Sequence, residues 1–288
     1  MRAGGGMTAP RTIATGFAFP EGPRWHDGRL WFSDQHAREV VVLEPDGTLV
    51  ERFAVPGGPS GLGWMPDGTL LVVSMHERRL YRRAHDGTLS VHAELSAYHP
   101  GHSNDMVVDL YGRAYVGNIG FDFDGGEAPR KTCIVAVEPD GAVAVAADGL
   151  DCPNGTVISP DGKVLIIAES MGRCLTQFDI DPAGKLSGRR LFADLGDHVP
   201  DGICLDAEGA VWIAAPYAHA ALRVAEGGAI IGRVTTEGAM PYACMLGGAD
   251  GGDLYLCCAP DHDPTVTVAA RGGRIDIVRV DVAGAGLP

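Results

Sequence analysis

The sequence predicts an all-β fold, a six-bladed β-propeller of four-stranded antiparallel blades. Three observations carry that reading. Gly-containing turns recur six times, at Asp27-Gly28, Asp67-Gly68, Tyr111-Gly112, Asp161-Gly162, Glu208-Gly209 and Asp250-Gly251, with spacings of 40, 44, 50, 47 and 42 residues. A second series, Asp46-Gly47, Asp86-Gly87, Asp140-Gly141, Ala183-Gly184 and Gly227-Gly228, follows the first by about twenty residues. Between the turns lie short runs such as Leu30-Trp31-Phe32-Ser33, Thr69-Leu70-Leu71-Val72-Val73 and Val164-Leu165-Ile166-Ile167-Ala168. They are β-branched, aromatic or aliphatic and bounded by Gly, Pro and Asp, which is strand and hairpin punctuation. Repeats of this length, each holding four short strands, build propeller blades, and six of them fit 288 residues. No stretch keeps a 3.6-residue apolar period between caps, so helix content should be minimal.

Composition narrows the class further. The 41 glycines and 19 prolines suit a chain of many tight turns, and 45% hydrophobic residues supply a core. Residues 1–10 hold a Gly cluster and no apolar h-region, so they read as a disordered tail ahead of a single propeller domain over 11–288. No run approaches the roughly 18 apolar residues of a membrane span, so no membrane partner is expected. A net charge of −14 with no basic stripe argues against a nucleic-acid partner. The seven cysteines are scattered, odd in number and without a C-x-x-C pair, as buried reduced thiols of a cytoplasmic protein would be.

Each blade opens on a polar or turn-like cluster about eight residues before its first turn. In order these are Glu21-Gly22, Ser60-Gly61, Asn104-Asp105, Asn154-Gly155, Asp201-Gly202 and Tyr242-Ala243. The first strand of a blade lines the central channel, so the six openings should converge at one mouth. Glu21, Asn154 and Asp201 share a Pro-x-Gly frame, in which Pro stiffens the approach and Gly permits an unusual backbone angle. Asp201 is not a plain hairpin turn, because the turn at Ala207-Glu208-Gly209 follows one short strand later. Two carboxylates and a carboxamide are hard oxygen donors that suit one divalent cation, Ca²⁺, Mg²⁺, Mn²⁺ or Zn²⁺, with positions left for water and substrate. Asn104 shares the register of Asn154 and should reach the same cavity. Asp105, one position on, should point into the blade and bond backbone, while Ser60 and Tyr242 line the pocket.

The interval from Gly87 to Gly141 is 54 residues, the longest in its series, and part of the excess lies in 118–127. Such a segment can lie over the mouth as a partial lid. The polar run Asp261-His262-Asp263-Pro264 reads as a loop. There is no G-x-S-x-G elbow and no H-E-x-x-H motif, which leaves the ring of openings as the chemical centre.

At these residues the sequence resembles the SMP-30/gluconolactonase/regucalcin family of six-bladed propellers, over residues 15–285. The motifs that carry the resemblance are Glu21-Gly22-Pro23-Arg24-Trp25, Asn104-Asp105, Pro153-Asn154-Gly155, and Pro200 through Gly209 running into Val211-Trp212-Ile213-Ala214. The resemblance implies a single divalent metal on Glu21, Asn154 and Asp201, with Asn104 near metal and substrate. It also implies hydrolysis of a small lactone, often a sugar lactone, with Asp201 as general base. Two positions depart from the family pattern. His102 stands where family sugar lactonases often carry Arg, and Gly120-Phe121-Asp122-Phe123 replaces an acidic pair in the lid. His102, Asn104, Phe121 and Asp122 are therefore the expected substrate contacts, and a polyhydroxylated substrate is the part of the implication they disturb. A non-catalytic calcium-binding scaffold propeller and a propeller esterase acting on a non-sugar substrate are the competing readings.

Overall fold

The computed structural model describes residues 9–123 and 125–288. Most of the tail expected over 1–10 therefore lies outside the described residues. Six four-stranded antiparallel sheets follow one another along the chain. Blades 1 to 5 span 20–54, 59–94, 103–150, 153–194 and 203–235. Blade 6 takes three strands from 240–279, and its fourth is the first strand of the chain, Arg11–Phe17, which pairs with Gly273–Arg279. Joining the two ends of the chain in one sheet closes the ring and leaves no open edge between first and last blade.

The turns are built as the Asp-Gly pattern requires. Gly28, Gly68, Gly162 and Gly251 take φ between 71° and 80°, where a Cβ would be strained. In the turns at 46 and 67, the Asp carboxylate accepts from the backbone N–H two residues on, at 2.9 and 3.0 Å. Apolar clusters fill the wedges between neighbouring blades; one joins Val157, Ile166 and Leu175 of blade 4 to Ile203, Val211 and Leu222 of blade 5. Trp212 and Tyr115 are among the fully buried side chains of these wedges.

Helix is scarce, as the periodicity predicts. Among the described residues there is one seven-residue α-helix, α1 (Pro264–Ala270), and a single 3₁₀ turn, Pro216–Ala218. The run 261–264 is a loop through Asp263, as expected, and leads into α1 at Pro264: Asp263 is the N-cap and accepts from Thr265 N at 2.8 Å. Three polar residues ahead of a Pro at N1 make a cap signal that seven residues of weak apolar patterning do not reveal.

At the centre, the first strands carry a register shift at their openings in five blades: Pro20/Glu21 to Arg24, Pro59 to Leu62, Ser103 to Met106, Pro153 to Thr156, and Pro241 to Ala243. A bulge bends the strand and re-aims the side chain at that point, which is how a strand residue comes to face down the channel. The glycines of the Pro-x-Gly frame serve two different ends. Gly22 does adopt a positive φ, 53°. Gly155 and Gly202 do not; they are needed for space, because a Cβ at 155 would stand 2.5 Å from Ile203 N and one at 202 would stand 2.4 Å from the Ala243 Cβ. Adjacent first strands approach that closely around the axis.

Candidate active site

The mouth at which the first strands open is a cavity of about 410 Å³, a volume typical of small-ligand sites. Its wall includes Glu21, His102, Asn104, Asn154 and Asp201. Phe121 and Asp122 are not among the lining residues. Phe121 is buried, and the Asp122 carboxylate accepts from Gly125 N in its own turn at 2.9 Å. From the 118–127 segment it is Ile119 and Phe123 that line the cavity. Which side chain of this turn reaches the mouth is a choice no periodicity announces.

Each floor residue is held from behind. Asp34 accepts from Ala18 N and Phe19 N, at 3.0 and 2.8 Å, and so fixes the chain just before Glu21. The Glu21 carboxylate takes the N–H of Gly22. Asn154 donates from its amide to Ser170 Oγ at 3.3 Å and to the Asp201 carboxylate, and Ser170 in turn donates to Pro200 O at 2.7 Å. Ser170 thus ties blade 4 to the approach of Asp201. Across the cavity, Gln35 Nε2 donates to Ser60 Oγ at 3.2 Å, and Ser60 donates to Asn104 Oδ1 at 3.3 Å, which engages the oxygen of the Asn104 amide and leaves its nitrogen as the donor. Ser60 therefore positions Asn104. His102 and His76 contact each other ring nitrogen to ring nitrogen at 3.1 Å.

Asp105 differs from expectation. It does bond backbone, accepting from Met106 N at 2.8 Å, but it also forms a buried ion pair with Arg24, Nη2 to Oδ1 at 2.6 Å. Arg24 gives its remaining donors to Leu62 O, Pro23 O and Met106 O. One guanidinium thereby joins blades 1, 2 and 3, with Asp105 as its carboxylate partner.

The electrostatic consequence is plain in the two floor acids. Burial pushes Glu21 well above the usual carboxylate range, with the Asp201 charge adding to it against the Gly22 N–H. Asp201 is lifted to about 7, first by burial, with the Asn154 hydrogen bond opposing and Asp105 adding. Two acids driven up by desolvation and by neighbouring carboxylates are an environment that lacks positive charge. Cys152 also lines the cavity, but burial lifts its thiol to about 12, which makes it no nucleophile near neutral pH.

Among the described residues, no three His, Cys, Asp or Glu side chains cluster as metal ligands. The floor offers two carboxylates and a carboxamide instead. That donor set fits a hard divalent cation: the missing positive charge is what both acids lack, and carboxamide oxygen completes an oxygen-only set. Ligation by Asn154 Oδ1 requires its amide to turn over, since the nitrogen now faces Asp201.

Sequence reasoning passed over several lining residues. His36, Arg38, Met75, His76, Met171, Tyr217 and Val268 lie in connections away from the openings, and His262, in the polar run 261–264, also reaches the mouth. Their one common signal, position between the second and third strands of a blade, is legible only once the strands are assigned. Tyr242 lines the cavity as expected and packs on Phe19, ring centroids 4.6 Å apart.

Known proteins share this fold and sequence pattern. The family described as the SMP-30/Gluconolactonase/LRE-like region matches residues 19–259. A pentonolactonase of Haloferax volcanii is 26% identical, with 98% of this chain and 97% of that protein covered. Regucalcin of Bos taurus is 30% identical over 84% of this chain and 83% of its own. A crystal structure of regucalcin from Agrobacterium tumefaciens, described as a calcium-binding protein, superposes with a TM-score of 0.82 at 26% identity, covering 98% and 97% of the two chains. The chain belongs to the SMP-30/gluconolactonase family.

Proposed function

We propose that the protein is a divalent-metal-dependent hydrolase that opens a lactone ring to the hydroxy acid. The observation that carries this reading is the floor of the cavity, where Glu21, Asn154 and Asp201 meet and both acids are short of positive charge. The likeness to a pentonolactonase supports the reaction class, and the likeness to calcium-binding regucalcin supports the cation.

Glu21, Asn154 and Asp201 would hold the cation through oxygen. When bound, it would polarise the lactone carbonyl and make a water more acidic. Both carboxylates ionise once positive charge faces them. Asp201, at the mouth of the fifth blade, then takes the proton of the attacking water. As the new carbon–oxygen bond forms, the Asn104 amide nitrogen donates to the carbonyl oxygen, which gathers negative charge. The ring carbon–oxygen bond breaks, the proton held on Asp201 passes to the departing alkoxide, and a hydroxy acid leaves.

A pH-indicator hydrolysis screen over lactones and simple esters, run with chelator and with Ca²⁺, Mg²⁺, Mn²⁺ or Zn²⁺ restored, tests the proposal. Hydrolysis abolished by chelator and recovered with metal is the expected result. A protein that binds metal stoichiometrically and opens no lactone is a calcium-binding propeller, and the hydrolase reading is then wrong.

A further inference from the structure

The loops that ring the mouth are equivalent in every blade, each joining the second strand to the third, yet their chemistry is divided. In blades 1 and 2 these loops, between Asp34 and Glu39 and between Ser74 and Arg79, supply His36, Arg38 and His76 to the wall, with Met75 as their one apolar member. In blades 3 to 6 they supply the large apolar or aromatic side chains Phe123, Met171, Tyr217 and Val268, with Ser170 and His262 as polar neighbours. Those four side chains are exposed by 46, 47, 69 and 48% respectively. Large apolar side chains scattered singly over a surface need no explanation, whereas four around one cavity do. They come from an extended loop, a tight turn, a 3₁₀ turn and α1, so no single local structure forces them outward. The Phe123 and His262 rings, from blades 3 and 6, stand 6.3 Å apart across the mouth. Ile119, Val199 and Pro264 extend the same apolar wall inward.

A small hydrophilic ring engages the floor alone and leaves this wall facing water. Resting on the lactone-hydrolase reading, we propose that the substrates are lactones bearing an apolar substituent of about four or more carbons, the ring on the floor and the substituent along blades 3 to 6. Burial of apolar surface then supplies affinity that the floor cannot distinguish by itself. The imidazole-bearing loops of blades 1 and 2 face the other side of the ring.

The test measures kcat/KM of the metal-loaded protein over γ-lactones carrying methyl, butyl, hexyl and octyl chains, with a polyhydroxylated lactone alongside. Calorimetry on 2-alkylcyclopentanones of the same chain lengths reads binding without chemistry. We expect kcat/KM and cyclopentanone affinity to rise about twofold to fourfold per methylene. Phe123→Ser and Tyr217→Ser should each lower the octyl-to-methyl ratio several-fold, while Leu110→Ser, on an exposed turn outside this cavity, should not. A polyhydroxylated lactone opened faster than the octyl lactone, a response flat in chain length, or a ratio untouched by both variants overturns the proposal and leaves lactone hydrolysis standing. If no lactone is opened, the hydrolase reading fails, and the cyclopentanone series still decides: affinity that grows with chain length sustains the ligand class, and flat affinity rejects it.

Discussion

Asp201→Asn should make the metal-free protein more stable, although it removes a residue of the reaction. In chelator the Asp201 carboxyl holds its proton up to a pH of about 7, while in the unfolded chain it releases it near the ordinary 3.8. The folded state therefore binds more protons across that window, and stability falls as pH rises through it. The gap of about three pK units corresponds to about 4 kcal/mol lost by pH 8, an upper figure because Glu21 shares the charge. His99 masks the effect in the wild-type curve. It is fully buried against Ser103 and pushed down to about 4, so its contribution is gained as pH rises from about 4 to its unfolded value of 6.5. The two slopes oppose each other over most of the range, and only the difference between proteins isolates Asp201. Urea unfolding in EDTA at about pH 4, 5.5, 7 and 8 should show no difference between wild type and variant at the acid end. At pH 8 the variant should be ahead by about 2–4 kcal/mol. Saturating Ca²⁺ should reverse the order, because the wild type recovers its missing charge and the variant has lost a ligand. A variant no more stable than wild type at pH 8 in chelator, or an order that calcium leaves unchanged, refutes the account of the floor as a site short of positive charge.

Other expectations follow from the same geometry. With metal bound, Asp201→Asn should lower kcat by about 100-fold or more, as loss of a positioned base does, measured by steady-state lactone hydrolysis. Arg24→Met should cost about 3–5 kcal/mol in urea unfolding, because it strands the buried Asp105 charge and the carbonyls of Pro23, Leu62 and Met106. Gly155→Ala places a Cβ 2.5 Å from Ile203 N and 2.7 Å from Asp201 O, so it should cost about 1–3 kcal/mol and reduce metal affinity through a displaced Asp201. Ser60→Ala should raise KM or lower kcat for the lactone several-fold while metal affinity holds, since Ser60 orients Asn104 and touches none of the three oxygen donors.

Much of this protein is legible in one dimension because a propeller repeats. The blade count, the strands, the mouth and the meeting of Glu21, Asn104, Asn154 and Asp201 all follow from equivalent positions in a closed ring, which periodic turns expose. Even so, the purpose of the frame glycines was only half visible. Gly22 relaxes a backbone angle, whereas Gly155 and Gly202 make room for the next blade, and a sequence carries no distance between neighbouring blades.

What the chain alone determined was therefore the set of residues placed by repetition. What the tertiary structure decided was everything set by approach across the ring: the closure of blade 6 by Arg11–Phe17, the pairing of Arg24 with Asp105 across 81 positions, and the choice of Phe123 over Phe121 and Asp122 at the mouth. The apolar arc of blades 3 to 6 belongs to that second class. Its members occupy equivalent loops that differ in length and in local structure, so only folding into a ring sets them side by side.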